Sequence, residues 1–122
     1  MYEIAHVGIV VRNTARSLEF YREVLGCTVI DSYDNDNACL TFLACGRQIL
    51  ELVEYKAAAG GERSAGPVDH IAFAVLDMDA AVSRLKQRNV PLAFDTPRLA
   101  GNKKILFFSG PDGERLEFVQ TL

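Results

Sequence analysis

Apolar and polar positions alternate in short runs along most of this chain, and twice the alternation gives way to a helical period. From His6 to Val11 the bulky residues Val7, Ile9 and Val11 fall on one side and His6, Gly8 and Val10 on the other, the pattern of a half-buried strand. From Thr14 to Leu25 the spacing becomes helical, with Leu18, Tyr21 and Leu25 on one stripe and Gly26 at the end, the residue suited to a left-handed cap. Three more strands are expected at Thr28–Tyr33, Ala38–Ala44 and Gln48–Val53, separated by turns at Asp34-Asn35-Asp36-Asn37 and Cys45-Gly46.

The same succession then returns, with His70 standing 64 residues after His6. Ile71, Phe73 and Val75 form the bulky side of a strand whose other side is His70, Ala72 and Ala74. A helix over Asp79–Arg88 turns Met78, Val82 and Leu85 inward, has Asp77 or Asp79 as its N-cap, and ends at Asn89. Strands are expected at Leu92–Phe94, Lys104–Phe108 and Arg115–Val119, around turns at Ala100-Gly101-Asn102 and Gly110-Pro111-Asp112-Gly113. The fold class expected is therefore α+β, one domain over residues 1–122 made of two βαβββ modules at 1–55 and 68–122. The Ala- and Gly-rich stretch 56–67 between them has no periodicity and reads as an exposed connector or a flap over a site.

Composition narrows the function classes. A chain of 122 residues holds a core without disulfides. Its 16 acidic and 13 basic residues give a net charge of −3 with no basic run, which argues against a nucleic-acid partner. No apolar stretch approaches the roughly 20 residues of a membrane helix, and the first residues lack the pattern of a signal peptide. A soluble, cytoplasmic protein is expected. Cys27, Cys39 and Cys45 form no Cys-x-x-Cys spacing and read as buried packing residues.

The candidate chemistry lies in four side chains. His6 and His70 are the only histidines, and both open the first strand of a module. Each module also places a glutamate in its last strand, Glu51 and Glu117, flanked by Leu50 and Leu52 or by Leu116 and Phe118, so both carboxylates point away from the apolar side. Taken singly, a histidine at a strand end is usually hydrogen-bonded at the surface, and a strand glutamate usually sits in water. All four in one register are a different matter, because imidazole and carboxylate together make a site for a divalent metal. Arg12, Arg98, Lys103 and Lys104 could hold a substrate carboxylate or phosphate, but solvated loop charges explain them better.

The stretches HVGIVVRNTARSLEFYREVLG, QILELVE, VDHIAFAVLDMDAAVSRLK and GPDGERLEF resemble the vicinal oxygen chelate superfamily, the group of glyoxalase I, methylmalonyl-CoA epimerase, extradiol dioxygenases, and fosfomycin and bleomycin resistance proteins. The resemblance spans nearly the whole chain. It implies a curved mixed sheet with helices on its convex side, and a divalent metal (Ni, Zn, Co or Mn) held on the concave side by His6, Glu51, His70 and Glu117. It also implies a homodimer; in the dimeric glyoxalase I arrangement a site would combine His6 and Glu51 of one chain with His70 and Glu117 of the other, the alternative being closure by the two modules of one chain.

Retention of both glutamates resembles glyoxalase I and the epimerase more than the dioxygenases and fosfomycin enzymes, whose three-ligand set would leave Glu51 surplus. The activity implied is that of a glyoxalase I-like lyase or isomerase acting on a small carbonyl compound or its thiol adduct. Glu117 and Glu51 would transfer the proton and the metal would stabilise an enediolate. A methylmalonyl-CoA epimerase-like enzyme and a non-catalytic binder of small drug-like molecules are the alternatives. The positions where glyoxalase I carries its glutathione contacts correspond to Val10 and Tyr55 here, so the thiol is open.

Overall fold

Leucines, valines and isoleucines at every second position need a second layer to cover them, and in each half of this chain one amphipathic helix supplies it. A computed structural model describes residues 3–57 and 68–122. The chain divides into two compact units, Met1–Gly61 and Glu62–Leu122. Most of the connector expected at 56–67 lies outside the described residues.

The first unit runs β1 (Val7–Val10), α1 (Thr14–Glu23), β2 (Thr28–Asp34), β3 (Ala38–Cys45) and β4 (Gln48–Tyr55), and the second runs β5 (Ile71–Ala74), α2 (Met78–Gln87), β6 (Arg98–Ala100), β7 (Lys103–Ser109) and β8 (Arg115–Thr121). Each unit is a four-stranded mixed sheet, in the order β1-β4-β3-β2 or β5-β8-β7-β6. In both, the first strand runs parallel to the last and the remaining pairs are antiparallel. Among the described residues no helix is long and apolar enough to cross a membrane.

The apolar faces are those the alternation implies. Leu43, Leu50, Leu52 and Ile9 are buried in the first unit, and Leu106, Phe108, Leu116 and Phe118 in the second, where Met78, Val82 and Leu85 of α2 are buried as well. In α1 the buried stripe is Ser17, Tyr21 and Val24, whereas Leu18 and Leu25 are only half-buried. The stripe is thus rotated by one residue from the expected Leu18, Tyr21 and Leu25, because Ser17 is small enough to let the helix lie close to the sheet. The expected strand at Leu92–Phe94 is also corrected: Leu92 forms only an isolated bridge to Phe108, and the edge strand is Arg98–Ala100. Pro91 and Pro97 bracket the displaced segment, and a proline just before a strand start loses no ladder hydrogen bond.

Of the three cysteines, Cys27 is buried, while Cys39 and Cys45 are half-exposed. Burial, reinforced by the neighbouring Cys45 thiol, pushes the Cys27 pKa up to about 12. Cys39 donates to the Asp34 carboxylate at 3.3 Å, which explains why a polar contact holds it short of the core.

Each helix begins with a side-chain cap, Asn13 accepting from the Arg16 amide at 3.0 Å and Asp77 from the Ala80 amide at 3.1 Å. Each is also tied to the last strand of its own unit. Glu54 of β4 accepts from the amide and hydroxyl of Thr14 at 2.5 and 2.8 Å, and Gln120 of β8 accepts from the Met78 amide at 2.8 Å. Both acceptors stand an odd number of residues beyond the unit's glutamate, so they emerge on the helix side while Glu51 and Glu117 emerge on the other. Glu54→Ala should cost about 1–3 kcal/mol by stranding two donors at a positive helix end. Urea unfolding should show a lower midpoint at unchanged slope, and an unaltered midpoint would discount this tie.

Candidate metal centre

The parallel pairing of first and last strands sets the donors side by side. Gly8 is in register with Glu51, and Ala72 with Glu117. Since His6 and His70 precede those small residues by two, each imidazole shares a face with a glutamate across a neighbour too small to separate them. His6 Nε2 lies 3.7 Å from Glu51 Oε1, and His70 Nε2 lies 3.2 Å from Glu117 Oε1. The structure therefore brings His6 to Glu51 and His70 to Glu117. Among the described residues no group of three or more His, Cys, Asp or Glu side chains converges on one point.

Neither glutamate stands fully in water, and Glu51 is half-buried. Glu117 is 8% exposed although it points away from the apolar core. An aromatic residue that sequence reasoning did not single out stands opposite each glutamate. Antiparallel pairing places Phe42 opposite Glu51 and Phe107 opposite Glu117. Each ring meets its unit's histidine edge to face, at 5.7 Å for His6 and Phe42 and 5.1 Å for His70 and Phe107, both at 84°. Phe42 was within reach of the sequence, because the hairpin turn at Gly46, with its φ of 60°, fixes the β3–β4 register.

The two pairs differ in what stands behind the imidazole. His70 Nδ1 lies 2.7 Å from Asp69 Oδ2, and the same oxygen accepts from Arg115 Nη1 at 2.9 Å. The hydrogen bond from His70, with the Arg115 charge adding to it, holds the Asp69 carboxyl below the usual carboxylate range. In the first unit the residue before the histidine is Ala5, so this support has no counterpart there.

This arrangement permits a test of fit. With Nδ1–H donated to the Asp69 carboxylate, the imidazole form of His70 turns its Nε2 lone pair toward a Glu117 oxygen 3.2 Å away. Two acceptors facing each other call for a proton or a cation between them. Ligands bonded to one divalent metal at about 2.0–2.2 Å stand roughly 3.3–3.6 Å apart in tetrahedral geometry, close to both observed separations. His6 and Glu51 at 3.7 Å are too far apart for a direct hydrogen bond, but span a cation. The residues present therefore fit a divalent metal.

Asp69→Asn should weaken metal binding about 10- to 100-fold, as loss of an outer carboxylate partner does, with the circular dichroism spectrum unchanged. Chelator competition measures this, and equal affinity would remove Asp69 from the site. Of the other candidates, Arg98 lies over the Phe94 ring at 3.9 Å, while Arg12 and Lys103 are exposed and Lys104 is half-buried.

Comparison with known proteins adds to this geometry. The model of the Glyoxalase/Bleomycin resistance protein/Dioxygenase superfamily matches residues 3–118. A lactoylglutathione lyase of Pseudomonas aeruginosa is 30% identical, with 98% of this chain and 83% of the relative covered. Metallothiol transferase FosB of Staphylococcus haemolyticus is also 30% identical, over 93% of this chain and 80% of that protein. Among solved structures, the trypanothione-dependent glyoxalase I of Leishmania major superposes with a TM-score of 0.83 at 27% identity, covering 98% of this chain and 87% of the other.

Proposed function

Because this chain belongs to the Glyoxalase/Bleomycin resistance protein/Dioxygenase superfamily, we propose that it is a metal-dependent isomerase or lyase of the glyoxalase I class, moving a proton next to the carbonyl of a small α-oxo compound or its thiol adduct. The observation that carries this reading is the doubled imidazole–carboxylate pair, in the same register of both units. His6 and Glu51 supply two ligands to a divalent cation (Ni, Zn, Co or Mn), and His70 and Glu117 supply the other two. The active assembly is a homodimer in the cytoplasm, with each metal shared between the first unit of one copy and the second unit of the other. When bound, the cation polarises the substrate carbonyl and makes the neighbouring C–H acidic.

The rest falls to the chain's own groups. Glu117, enclosed beside Phe107 and Ala72, is the base that takes the proton, and its near-exclusion from water keeps that proton from exchanging before it is returned. Glu51 serves the opposite side. Purified protein supplied with Ni²⁺ or Zn²⁺ and a methylglyoxal hemithioacetal should yield a 2-hydroxyacyl thioester, and no turnover with any thiol tried would overturn the assignment. A second reading, thiol transfer, is favoured by the likeness to the metallothiol transferase. It predicts that free thiol adds to a supplied electrophile to give a stable thioether while no 2-hydroxyacyl thioester forms from the hemithioacetal, so running the two substrates in parallel separates the readings.

A further inference from the structure

Strand alternation sets which residues share the face of Glu117 in the second unit. Phe107 and Ile105 of β7 and Val119 of β8 lie on it. Arg98 of β6 pairs with Ile105 and so joins the same face at its outer edge. A line of contacts connects the two ends: the His70 ring to Phe107 at 5.1 Å, Phe107 to Phe94 at 6.4 Å, and the Arg98 guanidinium over Phe94 at 3.9 Å.

Two guanidinium groups lie on this aromatic strip, and they are not equivalent. Arg115, 4.4 Å over Phe107, commits an N–H to Asp69. Arg98 is exposed and has no carboxylate partner among the described residues. Stacking on Phe94 engages the flat side of its guanidinium and leaves the in-plane N–H donors free, in the fork that matches a carboxylate. A cation already held by a ring loses little freedom on taking an anion. In a chain of net charge −3, such a cation at the edge of an apolar face selects for negative ligands.

Resting on the function proposed above, we propose that Arg98 is the anion-binding end of the substrate site, and that the substrate class is carbonyl compounds with a flat apolar body and a carboxylate at the end remote from the carbonyl. The carbonyl belongs at the His70–Glu117 end, the body along Phe107 and Phe94, and the carboxylate at Arg98.

Binding of 4-acetylbenzoate and of acetophenone to zinc-loaded protein, followed by NMR titration, tests this without turnover. The wild-type protein should bind the carboxylate probe roughly 10- to 100-fold more tightly. Arg98→Met keeps the stem and should bring the ratio close to one, while Arg98→Lys should restore part of it. A wild-type ratio near one, or a ratio unchanged by Arg98→Met, overturns the proposal. Retained discrimination in a protein that isomerises no hemithioacetal would remove the isomerase reading and leave the anion site, and the converse result would do the reverse.

Discussion

His70→Ala is expected to strip the purified protein of its metal while leaving the fold intact. His70 is one of four proposed ligands, and it is held for the role by Asp69 on one nitrogen and faces Glu117 with the other. Removing a ligand should cost more affinity than the roughly 10- to 100-fold lost with an outer partner. The stability cost should be small, about 0.5–1.5 kcal/mol for the lost edge-to-face contact with Phe107, because the side chain lies off the apolar core. Elemental analysis of protein made without a histidine tag reads out the metal, and thermal unfolding checks the fold. Wild-type metal content in a folded His70→Ala protein would end the metal assignment.

Mixing two inactive variants should restore activity. If each site draws His6 and Glu51 from one copy and His70 and Glu117 from the other, His6→Ala and His70→Ala homodimers are each without an intact site. A mixed dimer has one site carrying both substitutions and one carrying neither. Random exchange of subunits in a symmetric dimer makes about half the molecules mixed, so roughly a quarter of the wild-type sites should reappear. Turnover measured after co-refolding tests this directly. No recovery, together with mass-spectrometric proof of mixed dimers, would show that the four ligands do not belong to shared sites.

Much of the fold was legible because its signals are local. The alternation around Ile9, Leu52, Leu116 and Phe118, the capping chemistry of Asp77 and the repeat of histidine and glutamate all survive in the structure. What escaped depends on pairing across strands. Arg98-Leu99-Ala100 carries a weak strand pattern and becomes a strand because Ile105 and Lys104 offer partners. Phe107 gains meaning only once β7 is laid against β8, across a turn of five residues whose register is not fixed by its length. Asp69, beside His70 in sequence, was open to view, but its tie to Arg115 links residues far apart in the chain. The rotated stripe of α1 was hidden because a serine is not a hydrophobic signal.

Each histidine stands immediately before a strand, β1 or β5, that runs parallel beside the glutamate's strand, β4 or β8, whereas Arg98 rides on a three-residue strand at the margin of its sheet. The proposed reactive groups and the proposed recognition group therefore stand on different strands, joined through the Phe107 and Phe94 rings. Insertions, deletions and residue changes along the margin can re-tune what is admitted without disturbing the spine that carries the imidazoles and carboxylates, and such a chassis lends itself to changing clientele while its chemistry stays put.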